Sequence, residues 1–130
     1  MSFVNTIDQL GDDVVFASIV DGSITEFKDD VLKTIGRYAF YQVESLVNVD
    51  LPTVTSIGDH AFYGCSSLTT LILRSAIMCT LDIGSLSGTQ IASSKGYIYV
   101  PRALVDSYKS SWSSYTSRFR AIEDYPNICG

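Results

Sequence analysis

A stretch of 22 residues is followed directly by a second copy of itself, and this repeat constrains the fold more than any other sequence feature. Residues 57–78 match residues 35–56 at eight of 22 positions. Each copy carries Leu-x-x-(Val/Leu)-x-Leu, a spacing typical of a short strand whose alternate side chains point inward. One copy cannot bury its own apolar face, so successive copies must stack to form a core.

Weaker copies of the pattern flank the two clear ones. Phe27 lies 22 residues before Val49, and residues 98–101 resemble residues 49–52, although an insertion around residues 93–96 breaks the strict period. The sequence therefore predicts about four rungs, two clear and two degenerate.

A helix is predicted after the last rung. Pro101 suits the first position of a helix, where its missing N–H costs nothing. Apolar and aromatic side chains then follow at spacings of three and four, which is one helical face. They are Leu104, Tyr108, Trp112, Tyr115, Phe119 and Ile122. Many serines fill the other face, so a break near residues 113–114 stays open. This aromatic face could line a ligand groove, but packing over the open end of the stack is favoured.

A second, shorter helix is predicted at the N-terminus. Phe3, Ile7 and Leu10 are helically spaced. Ser2 could cap this helix, which would then cover the first rung.

Composition and charge exclude several classes of function. The 130 residues are 46% hydrophobic and 18% charged, which suits one compact domain. Nine basic residues are scattered among fourteen acidic ones, for a net charge of −5, so no nucleic-acid partner is expected. No apolar run approaches the roughly 18 residues that span a bilayer, so no membrane insertion is expected. The N-terminus shows no signal-peptide pattern.

No catalytic residue, metal site or cofactor is predicted. The three cysteines lack Cys-x-x-Cys spacing, and there is a single histidine. Cys65 and Cys79 fall on apolar repeat positions and are predicted to be buried, whereas Cys129 is predicted to be exposed. His60 is interpreted as a solvated side chain at an outward turn. Residues 84–88 have the glycine spacing of a nucleophile elbow, but leucine stands where serine is required.

The outer face of the predicted strands is the candidate binding site. Val49 and Leu51 are expected to point inward. Asn48 and Asp50 alternate with them and should point outward, and the repeat extends this assignment to the other rungs. The predicted binding residues are Glu26, Lys28, Asn48, Asp50, Thr70, Ile72, Tyr97 and Tyr99.

Two interpretations of the aromatic end of this face stay open. Exposed Ile72 beside two tyrosines would make a contact patch for a partner. Alternatively, the C-terminal helix or an oligomer partner covers Tyr97 and Tyr99. Four strands span only roughly 15 Å, and a standard interface needs about 800 Å² on each side. Weak, multivalent binding is therefore expected.

Residues 34–40 and 56–68 resemble the repeat of BspA-like leucine-rich-repeat proteins. Gly64-Cys65-Ser66-Ser67-Leu68 fits that repeat closely, whereas Gln42-Val43-Glu44 departs from it in the first copy. The resemblance implies an α/β fold, a right-handed leucine-rich-repeat solenoid with a short parallel sheet, to which the sequence adds an N-terminal helix and a C-terminal capping helix. The expected organisation is a single domain, 1–130, with an N-terminal cap and degenerate rung (1–33), two clear repeats (34–78), a degenerate repeat (79–101) and a C-terminal helical cap (102–125).

The resemblance also sets the expected function. Members of this family are commonly bacterial surface or adhesion proteins, with relatives encoded near phage tail genes, and no catalytic residues come with the family. It implies a non-enzymatic recognition module for a protein or glycan on a cell surface, displayed in many copies or as a homo-oligomer. The alternative is a structural accessory protein of a phage tail or similar assembly. The implied location is a cell surface, the extracellular medium or a phage particle.

Overall fold

The computed structural model describes residues 9–10, 24–28, 33–81 and 84–129. These residues form an α/β repeat fold with two parallel sheets, and each clear repeat contributes one strand to each sheet. The minor sheet has the order β1-β3-β5-β7, with strands Gln9–Leu10, Thr34–Ile35, Ser56–Ile57 and Thr80–Leu81. The major sheet has the order β2-β4-β6-β8-β9, with strands Glu26–Lys28, Asn48–Leu51, Thr70–Leu73, Tyr97–Val100 and Phe119–Ala121.

The strand register follows the 22-residue period where the repeats are clear. Val49 pairs with Phe27 on one side and with Leu71 on the other, each 22 positions away. Leu71 in turn pairs with Ile98, which is 27 positions further on. Part of this longer step is taken up by a turn in which the Lys95 N–H donates to the carbonyl of Gln90 at 2.8 Å.

One apolar core joins side chains from both sheets and from the turns between them. Phe40 and Phe62 hold equivalent places in successive turns, and their stacked ring centroids lie 5.2 Å apart. Both rings are fully buried. The turns also bond to each other, because the Phe40 N–H donates to the carbonyl of Ala61 at 2.7 Å. Stacking of successive repeats therefore forms the apolar core and also provides hydrogen-bond partners for backbone groups in the turns.

The backbone conformation explains why glycine occupies one turn position of the repeat. Gly64 and Gly88 have left-handed backbone, with φ of 73° and 80°. Gln42, the residue 22 positions before Gly64, adopts φ of 56° as well. Glycine reaches this region without the steric strain that a Cβ brings, so the departure at Gln42 is a strained copy of the same turn.

The C-terminal segment is only partly helical. It runs through a 3-10 turn at Arg102–Leu104, helix α1 at Val105–Ser111, a 3-10 segment at Ser113–Arg118, strand β9, a 3-10 turn at Ile122–Asp124 and helix α2 at Pro126–Cys129. Tyr108 and Trp112 pack into the core as the spacing predicted. The single helical face up to Ile122 is wrong, because α1 ends at Ser111 and Phe119 reaches the core from a strand.

The predicted N-terminal helix is wrong at Leu10, which lies in β1 and pairs with Ile35. Ser2, Phe3 and Ile7, the other residues of that prediction, lie outside the described residues. Across the segments that the structure describes, no helix combines the length and the apolar character that a membrane crossing requires.

Candidate functional site

The register of the major sheet places the eight predicted binding residues in two rows on its outer face. The first row, named the outer row, contains Glu26, Asn48, Thr70 and Tyr97. The second, named the inner row, contains Lys28, Asp50, Ile72 and Tyr99. Each member is the direct partner of the next, so the repeat period located both rows correctly from sequence.

The outer row is open to solvent. Glu26 and Asn48 are exposed, Thr70 is half-buried and Tyr97 is 37% exposed. The row thus presents a carboxylate, an amide, a hydroxyl and a phenol on four adjacent strands. These groups can donate or accept hydrogen bonds from a partner.

The inner row changes character along its length. Lys28 is exposed, and its Nζ lies 3.9 Å from a carboxylate oxygen of Asp50. The Arg74 guanidinium donates two hydrogen bonds to the same carboxylate, at 2.8 and 2.9 Å. Such a bidentate pair fixes the direction of both side chains. The charge of Asp50 is therefore largely neutralised within the chain.

Ile72 and Tyr99 do not form the predicted exposed patch. Each is only 4% exposed, because both pack in a small cluster separate from the main core. Cys129 of α2 completes that cluster, and Tyr125 meets Tyr99 edge to face with ring centroids 5.2 Å apart. The open alternative, cover by the C-terminal segment, is the one the structure shows for Tyr99, whereas Tyr97 stays exposed.

Cys129 is buried, so the prediction that it is exposed is wrong. Its backbone carbonyl accepts a hydrogen bond from Arg74, the residue that also binds Asp50. Burial raises the pKa of the Cys129 thiol. Arg74 therefore ties the C-terminal segment to the inner row.

Two arginines extend the outer face beyond the predicted site. Arg120 of β9 pairs with Tyr99, and Arg118 lies just before that strand. Their guanidinium carbons lie 4.4 Å (Arg120) and 5.4 Å (Arg118) from the centre of the Tyr97 ring. The alternation of Arg118, Phe119 and Arg120 was the available sequence signal. It was missed because the spacing from Tyr115 through Phe119 to Ile122 also fits a helix.

A group of rings lies on the turns that connect the two sheets. Tyr38 stacks on His60 at 5.2 Å, and Tyr41 stacks on Tyr63 at 5.4 Å. His60 is half-buried rather than solvated, and its Nδ1 lies 2.7 Å from a carboxylate oxygen of Asp59. The structure therefore places His60 in packing between successive turns.

The other candidates for chemistry are structural. Cys65 and Cys79 are buried as predicted, and burial raises the pKa of each thiol to about 12. A thiol held in this protonated form is a poor nucleophile. In residues 84–88, Leu86 is fully buried and the Ser85 hydroxyl donates to the carbonyl of Gly58 at 2.7 Å. No cluster of three or more metal-ligating side chains occurs in the described ranges.

A shallow groove of about 440 Å³ lies beside the inner row. Its lining is mainly apolar and consists of Arg74, Ala76, Pro101, Ala103, Leu104, Ile122 and Glu123. The polar members already have partners, since Arg74 binds Asp50 and Glu123 accepts from the Arg102 N–H at 2.9 Å. His60 does not line the groove, so the groove does not bring a histidine and a carboxylate together as an acid–base pair.

Comparison with known proteins agrees with the sequence resemblance. Residues 12–95, more than half of the chain, match the model of the BspA type leucine rich repeat region, which is described with six copies. No curated protein and no solved structure matches the chain. Such repeats are generally non-enzymatic interaction modules. The chain belongs to the BspA-type leucine-rich-repeat family.

Proposed function

We propose that this chain is a non-enzymatic recognition module that binds a protein or glycan on a cell surface, in the manner of an adhesin. In this proposal the repeats form a right-handed solenoid, and the segment after Pro101 caps its open end. The outer row carries the proposal, because its four polar or aromatic side chains stand on directly paired strands and face solvent.

The parallel strands make the outer row a rigid platform. Neighbouring strands lie about 4.8 Å apart, and their backbones are fixed by the ladder of hydrogen bonds. A partner then meets groups that need little reorganisation, which lowers the entropic cost of binding. The inner row supports this platform through the Asp50–Arg74 pair rather than through direct contact with a ligand.

The small size of the platform favours weak, multivalent binding. Five strands in the major sheet span about 19 Å, and a standard interface buries about 800 Å² on each partner. One copy of the outer face supplies less than this area. Display of many copies on one surface would raise the overall avidity without new contacts.

The experiment is an array of extracellular glycans and proteins probed with the purified chain, followed by variants of the outer row. Replacing Asn48, Thr70 and Tyr97 by alanine should weaken binding to the captured partner by about tenfold or more. A control triple variant at three exposed serines outside the sheet should bind normally. The control changes Ser66, Ser93 and Ser114 to alanine.

Circular dichroism must show that both triple variants remain folded. Equal binding by the two variants would remove the outer row as the recognition surface. A stable assembly of the purified chain in light scattering, with no captured partner, would favour the alternative of an accessory protein in a phage tail or similar assembly.

A further inference from the structure

Two arginine side chains lie together at the β9 edge of the outer face. Arg118 and Arg120 approach the ring of Tyr97 with guanidinium carbons 5.4 and 4.4 Å from its centre. We name these three residues the arginine–tyrosine cluster. The cluster adjoins the end of the outer row, because Tyr97 belongs to both, and its Arg120 pairs with Tyr99 of the inner row.

Neither arginine of the cluster is neutralised within the described part of the chain. Arg120 donates to the carbonyls of Ser117 and Phe119, at 3.1 and 2.8 Å. Arg118 donates to the Ser117 hydroxyl and to the Gly96 carbonyl. All of these acceptors are neutral, and no carboxylate in the described ranges lies within ion-pair distance of either guanidinium.

Two other arginines, in contrast, each form an ion pair with a carboxylate. Arg74 binds the carboxylate of Asp50, and Arg102 binds that of Asp124. In a chain with a net charge of −5, two unpaired guanidinium groups on one ring form a local cationic site. Of the contacts described for Arg120, all use Nη1, so its Nε and Nη2 remain available to an anion.

The geometry favours a carboxylate on an extended peptide over a sugar ring. Arg120 lies against the Tyr97 ring at 4.4 Å, so this aromatic surface is already occupied by a cation. Arg118 ends the 3-10 segment and Arg120 lies two positions later in β9. Both guanidinium groups lie against the same Tyr97 ring, so the two cations are close together. Acidic side chains at alternate positions of an extended segment are also close, about 6.6 Å apart, and guanidinium groups bind carboxylates through paired hydrogen bonds.

We propose that the arginine–tyrosine cluster binds an acidic, extended segment of a partner protein in which Asp or Glu occupies alternate positions. This inference rests on the proposed function, because it names the chemistry of the partner at one end of the outer face. The carboxylates of that segment meet Arg118 and Arg120, and the rest of the partner continues along the outer row.

The test uses the full chain and two synthetic peptides, Ser-Glu-Ser-Glu-Ser-Glu and the same peptide with Gln in place of Glu. NMR signals of the arginine Nε–H groups report binding at the cluster directly. We expect the Glu peptide to shift the signals of Arg118 and Arg120, with little effect from the Gln peptide. Binding should weaken as salt is raised, because the contact is exposed and ionic.

Matched variants separate the cluster from general charge. Arg118→Gln and Arg120→Gln should each weaken binding of the Glu peptide by about three- to tenfold. Arg120→Lys keeps the charge but loses the planar fork, so it should weaken binding as well. The control variants Arg102→Gln and Lys109→Gln remove the same charge elsewhere and should bind normally.

Three results would overturn the inference. They are equal binding of the two peptides, signal shifts confined to other residues, and tighter binding of a short sulfated oligosaccharide at the cluster.

Failure of this inference can be told apart from failure of the proposed function. If the captured partner needs Asn48 and Thr70 but ignores both arginine variants, only the inference falls. If the Glu peptide binds the cluster while the outer-row variants leave partner binding intact, only the recognition role of the outer row falls.

Discussion

Gly58 lies where the backbones of two successive repeats approach closely. A methyl group at this position would lie 2.8 Å from the backbone N of Arg37 and 2.9 Å from the backbone C of Gly36. Both contacts are with backbone atoms, which a rotamer change cannot move away. Glycine is needed here because the neighbouring repeat occupies the space of a side chain.

We expect Gly58→Ala to lower the free energy of unfolding by about 2 kcal/mol or more, because the two repeats must separate to admit the methyl group. Urea unfolding followed by circular dichroism measures this change. Ser66→Ala is the matched control, since Ser66 is exposed, and it should change stability by less than about 0.5 kcal/mol. A Gly58→Ala protein as stable as the control would show that the repeats are not packed this closely.

Helix α1 is fixed to the repeats by one buried hydrogen bond as well as by apolar contacts. The Cys79 N–H donates to the hydroxyl of Tyr108 at 2.6 Å, and the Tyr108 ring meets Trp112 edge to face at 5.2 Å. Burial raises the pKa of Tyr108 to about 12. The hydroxyl therefore stays protonated at neutral pH and serves as a neutral acceptor at the end of the core.

Tyr108→Phe should destabilise the chain by about 1–3 kcal/mol, because the buried N–H of Cys79 loses its partner while the ring is kept. Thermal or urea unfolding measures the loss. Tyr115→Phe removes a hydroxyl from the same segment at a half-buried position and should cost less than about 0.5 kcal/mol. Similar stabilities for the two variants would contradict the role of this hydrogen bond.

The repeat pattern predicted the strands of the major sheet up to β8, but it did not predict β9. Phe27, Val49 and Ile98 were located because each repeats a pattern that the chain itself displays. Phe119 has no such copy, and its spacing from Tyr115 fits a helix equally well. Phe119 lies in a strand rather than a helix because it pairs with Ile98 at the edge of the major sheet.

The candidate site was predictable in position but not in exposure. Alternation along each strand placed Ile72 and Tyr99 on the outer face, and the register agrees. Their burial depends on Cys129, a residue distant in sequence whose contact no local pattern encodes. Exposure on one face of a sheet is a tertiary property, because any later segment of the chain can fold back over it.

In the whole molecule, the described apolar side chains form two separate clusters. Tyr108, Trp112 and Phe119 belong to the main core, whereas Ile72 and Tyr99 belong to the small cluster beneath α2. The two parts of the C-terminal segment therefore have different tasks. Residues 102–121 complete the main core, and residues 125–129 shield the aromatic end of the inner row.

This division predicts different outcomes for two truncations. Removing residues 102–130 takes three large rings out of the main core, so we expect loss of cooperative unfolding, and aggregation in light scattering.

Removing only residues 125–130 should leave a cooperatively folded chain that is less stable by about 1–3 kcal/mol. Because Ile72 and Tyr99 become exposed, this shorter truncation should bind more of the apolar dye ANS than the full chain does. Ile128→Ser, at a 49% exposed position of α2, is the control that should leave both stability and dye binding unchanged. If the shorter truncation also lost its cooperative transition, the small cluster would be an integral part of the core rather than a cover over the outer face.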